Sequence, residues 1–364
     1  MSALIHKNNR PCRVLIDRSA ITHNLEVVRQ TTSSSKIMAV IKADGYGHGM
    51  EVTALALEAA DEYAVSSLDD VKRLRENGID KPITLLSALL SQSEIKSLVN
   101  LNVRLTIFDH TQLSQISKLE LSEPLSVWLK VDTGMGRLGI SPSELPSALE
   151  LLISSSSISD ISLMTHLANA DDPQHRQNQR QINIFNDILK QHDFYQSSIL
   201  NSAGIIGNSD AALDVVRPGV MLYGISPLQG KTSKELMLKP VMTFTSELIS
   251  IKHLPKGSGV GYGGSYQLKR DSKIGIVGCG YGDGYPGHAP SGSVVLVNGE
   301  RASLVGRVSM DMMSVDLTDI NASIGDEVIL WGKDNPIEDL ATAAGTIAYE
   351  LSCGISSRVE RITV

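Results

Sequence analysis

Cysteine is scarce in this chain of 364 residues: Cys12, Cys279 and Cys353 are the only three. They make no C-x-x-C pair and no even-numbered framework, which excludes a disulfide-stapled scaffold and leaves reduced, structural thiols. No apolar run approaches the roughly 20 residues of a membrane helix. The opening segment MSALIHKNNRPCR also lacks the apolar core of a secretory signal, so a cytoplasmic address is favoured. Excess positive charge is missing too. Lys and Arg number 33 against 40 Asp and Glu, a net charge of −7, which gives no bulk attraction for nucleic acid or an anionic membrane. The nine histidines show no H-E-x-x-H or similar spacing, and no metal site is expected. A Walker lysine pattern is absent, and neither glycine-rich segment opens a helix inside a βαβ unit, so no nucleotide fingerprint exists.

What is present is the composition of a soluble globular protein, with a length that suits one large α/β barrel plus a further unit, or two medium domains. Short β-rich runs alternate with longer helical patterns through the first two-thirds. The strand candidates are 36–41, 63–66, 82–87, 103–108, 125–131, 161–165, 198–200 and 215–223. Between them lie amphipathic stretches such as LDDVKRLRE at 68–76 and QNQRQINIFNDILK at 177–190, each with apolar residues in helical period. Eight such units over roughly 250 residues have the rhythm of a (β/α)8 barrel, and an open doubly wound sheet would not normally need eight.

A barrel predicts function at the C-terminal ends of its strands. Lys42 follows strand one, Arg137 lies in the loop after strand five, and His166 follows strand six. Asn201 and Ser202 follow strand seven, and Arg217, Pro218, Gly219 and Val220 stand in strand eight. Each has an ordinary reading alone: a strand-end lysine, a core histidine, a turn asparagine. Together they place cationic and hydrogen-bonding groups on one face. From residue 240 the pattern changes to short strands punctuated by glycine, with Asn298-Gly299 as a type I′ hairpin signal. A helix over 336–351 and a strand over 358–364 close the chain. The organisation expected is a barrel over 1–239 followed by a mostly-β domain over 240–364.

The motifs VIKADGYGHG, WLKVDTGMGRLG, VRPGVMLYGISPL, CGYGDGYPG and VGRVSMDMMSVDL, in that order, resemble the bacterial alanine racemase family. That family uses pyridoxal phosphate, joins a barrel to a C-terminal β-domain, acts as a homodimer, and supplies D-alanine for peptidoglycan. The resemblance implies that Lys42 holds the cofactor covalently and acts as one base. It gives the cofactor phosphate to Tyr46, Ser202 and the backbone N–H groups of Gly219 and Val220, with Asn201 beside them. His166 would flank the ring, Arg137 would bind its phenolic oxygen, and Arg217 would face its pyridine nitrogen. A guanidinium does not readily give up its proton, so the ring is a weaker electron sink than one opposite a carboxylic acid, which suits racemisation over transamination.

Tyr281 is implied as the second base and Met310 as the carboxylate-binding backbone N–H, both reaching in from the partner subunit. Lys130 matches a lysine that is often carbamylated and orients the arginine matching Arg137; an unmodified lysine paired with an acid is the other reading. Two departures from the family pattern stand out: Ser357 where some members carry tyrosine, and Gly287-His288 where a basic residue is common. A non-enzymatic cofactor-binding barrel would lack the second domain, a related decarboxylase would be longer, and a racemase of broader substrate range stays open.

Overall fold

The computed structural model describes residues 10–364, so the first nine residues of the segment read for a signal peptide lie outside it. The chain opens with a strand the sequence pattern did not announce, β1 (Arg13–Ile16), and helix α1 (Arg18–Thr31), whose cap Asp17 accepts from the Ala20 N–H at 3.1 Å. Next come β2 (Lys36–Val40), α2 (Lys42–Tyr46), α3 (Met50–Ala56), β3 (Glu62–Val65), α4 (Leu68–Glu76), β4 (Ile83–Leu85) and α5 (Gln92–Leu98). They continue with β5 (Val103–Ile107), α6 (His110–Ser117), β6 (Leu125–Lys130), α7 (Leu145–Ile153), β7 (Ile158–Met164) and α8 (Arg176–Leu189). The last unit is β8 (Ser197–Ser198), α9 (Ser202–Gly207) and β9 (Val215–Val216).

Strands β2 to β9 form one parallel sheet in the order β8-β7-β6-β5-β4-β3-β2-β9. A bridge between Asn201 and Arg217 closes it, with the Arg217 N–H donating to the Leu200 carbonyl at 2.9 Å. This is the expected barrel. The expected eighth strand over 215–223 is much shorter, because Pro218 has no N–H for a ladder and the chain turns into a 3₁₀ segment at Val220–Tyr223.

The strand period of two sorts each side chain inward or outward. Met38, Val40, Ala64, Trp128, Met164 and Val215 form a cluster of their own inside the barrel, while Val127, Leu129 and Leu163 join the outer core under the helices. Below that cluster Trp128 donates to the Thr84 hydroxyl at 3.1 Å, Thr84 donates to Glu62 at 2.7 Å, and Arg104 pairs with Glu62 at 3.1 Å. The indole, hydroxyl, carboxylate and guanidinium of this network are therefore paired with one another, while the buried hydroxyls of Thr106 and Ser162 have no partner.

The second sheet has the order β13-β16-β15-β14-β17-β10-β1-β18 and is closed by a β13–β10 pairing. Its members are β10 (Met242–Leu254), the small hairpin β11 (Gly259–Val260) and β12 (Tyr266–Gln267) standing apart, β13 (Ser272–Val277), β14 (Val294–Val297) and β15 (Glu300–Leu304). Strands β16 (Met313–Asp316), β17 (Glu327–Trp331) and β18 (Glu360–Thr363) complete it. Strand β1, which the division at residue 239 puts with the barrel, pairs instead with β10 and β18. Asn298 (φ 50°) and Gly299 (φ 82°) make the turn between β14 and β15, as the dipeptide predicts. The single helix expected over 336–351 is two, α10 (Ile337–Ala344) and α11 (Ala348–Cys353). Gly345 at φ 70° ends the first of them.

Helix α11 packs against the loop that follows β2, and Arg361 donates to the Gly47 carbonyl at 2.9 Å. A Cβ on Gly47 would lie 2.0 Å from the Ser352 carbonyl oxygen, whereas one on Gly49 would meet nothing within 4 Å. Both residues have positive φ. Gly47→Ala is therefore expected to cost about 1–3 kcal/mol more than Gly49→Ala, the overpacking term alone, as read from urea unfolding of the two variants.

Candidate active site

The inward register carries past the apolar layer to the strand ends. Two residues beyond Val40 is Lys42, beyond Trp128 is Lys130, beyond Met164 is His166, and beyond Val215 is Arg217. All four line one cavity of about 1020 Å³ at the C-terminal mouth of the barrel, together with Tyr46, Arg137, Asn201, Ser202, Gly219 and Val220. Tyr281 and Met310 are not among its lining residues. They stand 49% and 53% exposed on the second domain.

The segment after Lys42 winds left-handed. Ala43 (φ 52°, ψ 50°), Asp44 (φ 53°, ψ 48°) and Gly45 (φ 61°, ψ 46°) make a turn, continued by Tyr46 at φ 52°. Left-handed winding costs a non-glycine residue roughly 1–2 kcal/mol, so the surroundings must hold it. Gly45 and Gly47 donate to the carbonyls of Ile41 and Ala43 at 2.9 and 3.0 Å. The His48 Nδ1 sits 3.0 and 2.9 Å from the carbonyls of Gly45 and Tyr46, and Asp44 accepts from the Met50 N–H at 3.1 Å. His48 is buried and stays neutral, its pKa lowered to about 4 by desolvation. The rings of Tyr46 and His48 pack on Tyr223 at 4.8 and 4.6 Å. The turn brings the Tyr46 hydroxyl to Gly219, where a Cβ would lie 2.5 Å from it, so only glycine fits there.

Ser202 begins α9 and accepts from the Gly219 N–H at 2.8 Å and the Met221 N–H at 3.4 Å. Asn201 is the cap of that helix, accepting from the Gly204 N–H at 2.9 Å, and its amide also lies 3.3 Å from His166 Nε2. The turn-forming reading of Asn201 and a place beside the cavity are therefore both true. Arg217 is buried and anchored by the Ser198 hydroxyl and the carbonyls of Thr165 and Ile199. Arg137 rides on a loop organised by Asp132, whose carboxylate accepts from the N–H groups of Gly134, Met135 and Gly136 at 2.9, 2.7 and 2.8 Å. Helix α8 braces this loop and the His166 loop: Gln177 donates to the Gly134 carbonyl at 3.0 Å and Gln181 to the His166 carbonyl at 3.0 Å.

Crowded, buried cations give up protons. Burial pushes the Lys42 ammonium down, and Arg137 adds to it. Burial, then Arg217, Arg137 and Lys42, lowers Lys130 to about 8. His166 is held well below its usual value, by burial first and then by Arg217, Lys130, Arg137 and Lys42. Burial brings even Arg217 down to about 10, so it stays protonated at neutral pH. The set fits an anionic ligand with a carbonyl function: lysine amines whose protons are more easily lost for the carbonyl, hydroxyls of Tyr46 and Ser202 with guanidinium groups for the charge.

The sequence reading did not single out His48, Tyr223 or Asp132. The D-x-G of Asp132-Thr133-Gly134 was a usable signal for a carboxylate-capped loop, while nothing local marks His48, whose burial comes from Tyr223 far along the chain. Cys12 and Cys279, scattered in sequence, lie side by side with Asp283. Their ligand atoms fall within 4.8 Å of one another, and all three residues are buried. The Asp283 carboxylate is already engaged by Arg10 and Arg358.

Lys130 and Lys42 are expected to react with a small acylating reagent at lower pH than ordinary exposed lysines, whose amines titrate near 10.4. Competitive labelling read by mass spectrometry across pH should turn over near 8 for Lys130; turnover at the ordinary value would show that the cation crowding is not felt there.

Two family descriptions match the chain, "Alanine racemase, N-terminal domain" over residues 16–227 and "Alanine racemase, C-terminal domain" over 241–363. An alanine racemase of Nitrosospira multiformis is 42% identical over 357 residues, covering 98% of this chain and 100% of the relative. A catabolic alanine racemase of Pseudomonas putida is 43% identical over 354 residues, 97% of this chain and 98% of the relative. The crystal structure of the biosynthetic alanine racemase from Pseudomonas aeruginosa superposes with a TM-score of 0.95 at 39% identity, covering 98% of this chain and 99% of that one. The chain belongs to the alanine racemase family.

Proposed function

We propose that this protein interconverts L- and D-alanine with pyridoxal phosphate as cofactor and supplies D-alanine for peptidoglycan. The observation that carries this reading is the convergence of Lys42, Lys130, Arg137, His166 and Arg217 on one barrel-mouth cavity in a member of this family. Lys42 would hold the cofactor, Tyr46, Ser202, Gly219 and Val220 its phosphate, with Asn201 beside them. Arg137, His166 and Arg217 would bound its ring. When bound, pyridoxal phosphate supplies the electron sink that acidifies the substrate α-proton. Arg217 keeps its own proton and its anchors, which leaves that sink weak and favours return of a proton to carbon over transamination.

Racemisation needs two acid/base groups on opposite faces of the α-carbon. The Lys42 Nζ, its proton made labile by burial, serves one face. The Tyr281 hydroxyl serves the other from the partner subunit of a homodimer, and the Met310 N–H from the same partner holds the substrate carboxylate. Support for this comes from the exposure of both residues away from their own chain's cavity. A carbamate on Lys130 would put an anion among the cations and orient Arg137; a free amine there would leave the crowding unrelieved. No helix of the described residues is long and apolar enough to cross a membrane, and a cytoplasmic site of action agrees with that.

The deciding experiment is a racemisation assay of purified, cofactor-loaded protein on L-alanine, L-serine and L-lysine. Turnover greatest on alanine is expected, and no turnover on any of them would reject the proposal. Tyr281→Phe should slow α-proton exchange from one enantiomer of alanine far more than from the other, on the order of 100-fold. Equal slowing for both enantiomers would reject the two-base scheme.

A further inference from the structure

The loops that carry Tyr281 and Met310 are tied to each other more firmly than a solvent-facing pair of loops needs to be. Tyr281 donates from its N–H to the Ser309 carbonyl at 3.0 Å, and Gly282 donates to the Met310 carbonyl at 2.9 Å. Gly280 and Gly282 permit this closeness: a Cβ on Gly280 would lie 2.2 Å from the Ser309 oxygen, and one on Gly282 would lie 2.6 Å from an Arg358 nitrogen. Beneath them is Asp283, fully buried. Its Oδ2 accepts from the Gly280 N–H at 2.9 Å and from Arg10 at 2.7 Å, and its Oδ1 is in ionic contact with Arg358 Nε at 2.8 Å. Arg358 also reaches the other loop, donating from Nη2 to the Asp311 carboxylate at 2.9 Å and to the Met310 carbonyl at 3.3 Å. Arg10 repeats the pattern at longer range, 3.5 Å from the Asp311 carboxylate.

We infer that Arg358, assisted by Arg10, is a positioning residue that locks the Tyr281 loop and the Met310 loop into one rigid insert. The inference rests on the roles given above to Tyr281 and Met310. A guanidinium suits the task because one planar fork spans two carboxylates, Asp283 under one loop and Asp311 in the other. Leaving Asp283 buried without its cations is costly, so the loops are held where the arginines are. Misplacement of an acid/base group by an ångström can cost about 100-fold in rate, which makes such a lock worth its desolvation.

The test uses the cofactor-loaded enzyme in D2O, starting from the alanine enantiomer whose proton Lys42 takes. It measures the ratio of deuterium exchange without inversion to inversion. Loss of folded enzyme lowers both rates together and leaves the ratio fixed, whereas displacement of the Tyr281 hydroxyl slows only inversion. Arg358→Ala is expected to raise the ratio on the order of tenfold. Arg358→Lys keeps a charge beside Asp283 but cannot span both carboxylates, so it should raise the ratio by less, and it gives the same reading if the alanine variant does not fold. Tyr281→Phe is the reference. If Tyr281→Phe raises the ratio and neither Arg358 variant does, the positioning role is overturned and the two-base scheme stands. If none of the three variants raises it, the two-base scheme falls and the positioning role with it.

Discussion

Burial of several basic groups together at the barrel mouth is the constraint around which the site is arranged. Lys42, Lys130, His166 and Arg217 stand in one inward-facing layer because the β period leaves them no other place, and Arg137 is added from a loop. Just beneath them Trp128 and Met164 exclude water, so the charges are poorly screened. The chain relieves the strain by giving up protons: the Lys130 ammonium is weakened to about 8 and His166 stays neutral. Of the five groups, Arg217 keeps its charge in full burial, through three anchoring hydrogen bonds. A site prepared this way has lysine ammonium groups that lose their protons more readily than exposed ones and a standing deficit of negative charge, and both follow from burying cations together.

The left-handed turn after Lys42 is the second expense. Three non-glycine residues wind against their steric preference, and the chain recovers that cost through His48, Asp44 and the Tyr223 ring. The return is geometric: Lys42 and Tyr46, four residues apart, line the same cavity, with the Tyr46 hydroxyl against Gly219. Neutral His48 has one N–H, and the tautomer that carries it on Nδ1 shares that donor between the two carbonyls.

Much of this was legible in the order of residues. Most of the eight strands stand out as short apolar runs between helical patterns, and the ends of those strands point to the cationic layer. What escaped was set by partners distant in sequence. Strand β1 is four residues with no pattern of its own, and only pairing with β10 and β18 defines it. The eighth strand reads as β-rich through Tyr223, yet Pro218 withholds the N–H that a ladder needs. Gly345 ends α10 inside a stretch whose composition favours one continuous helix. Asp283 reads as a loop carboxylate between glycines, and its burial depends on arginines at positions 10 and 358.

The separation of Tyr281 and Met310 from the cavity of their own chain bears on how the proposed two-base chemistry would be completed. Proton transfer on two faces of one carbon needs two groups that approach from opposite sides, and the inward face of a barrel mouth offers only one side. A second copy presenting its exposed loops would supply the other. Such a contact is exacting if the two residues arrive independently, since each must be ordered on docking. If they arrive on one insert, braced by Asp283, Arg358 and paired backbone hydrogen bonds, the ordering is already done and docking fixes both at once. On the proposed reading, the buried ion network of the second domain lowers the cost of assembling the active site across two subunits.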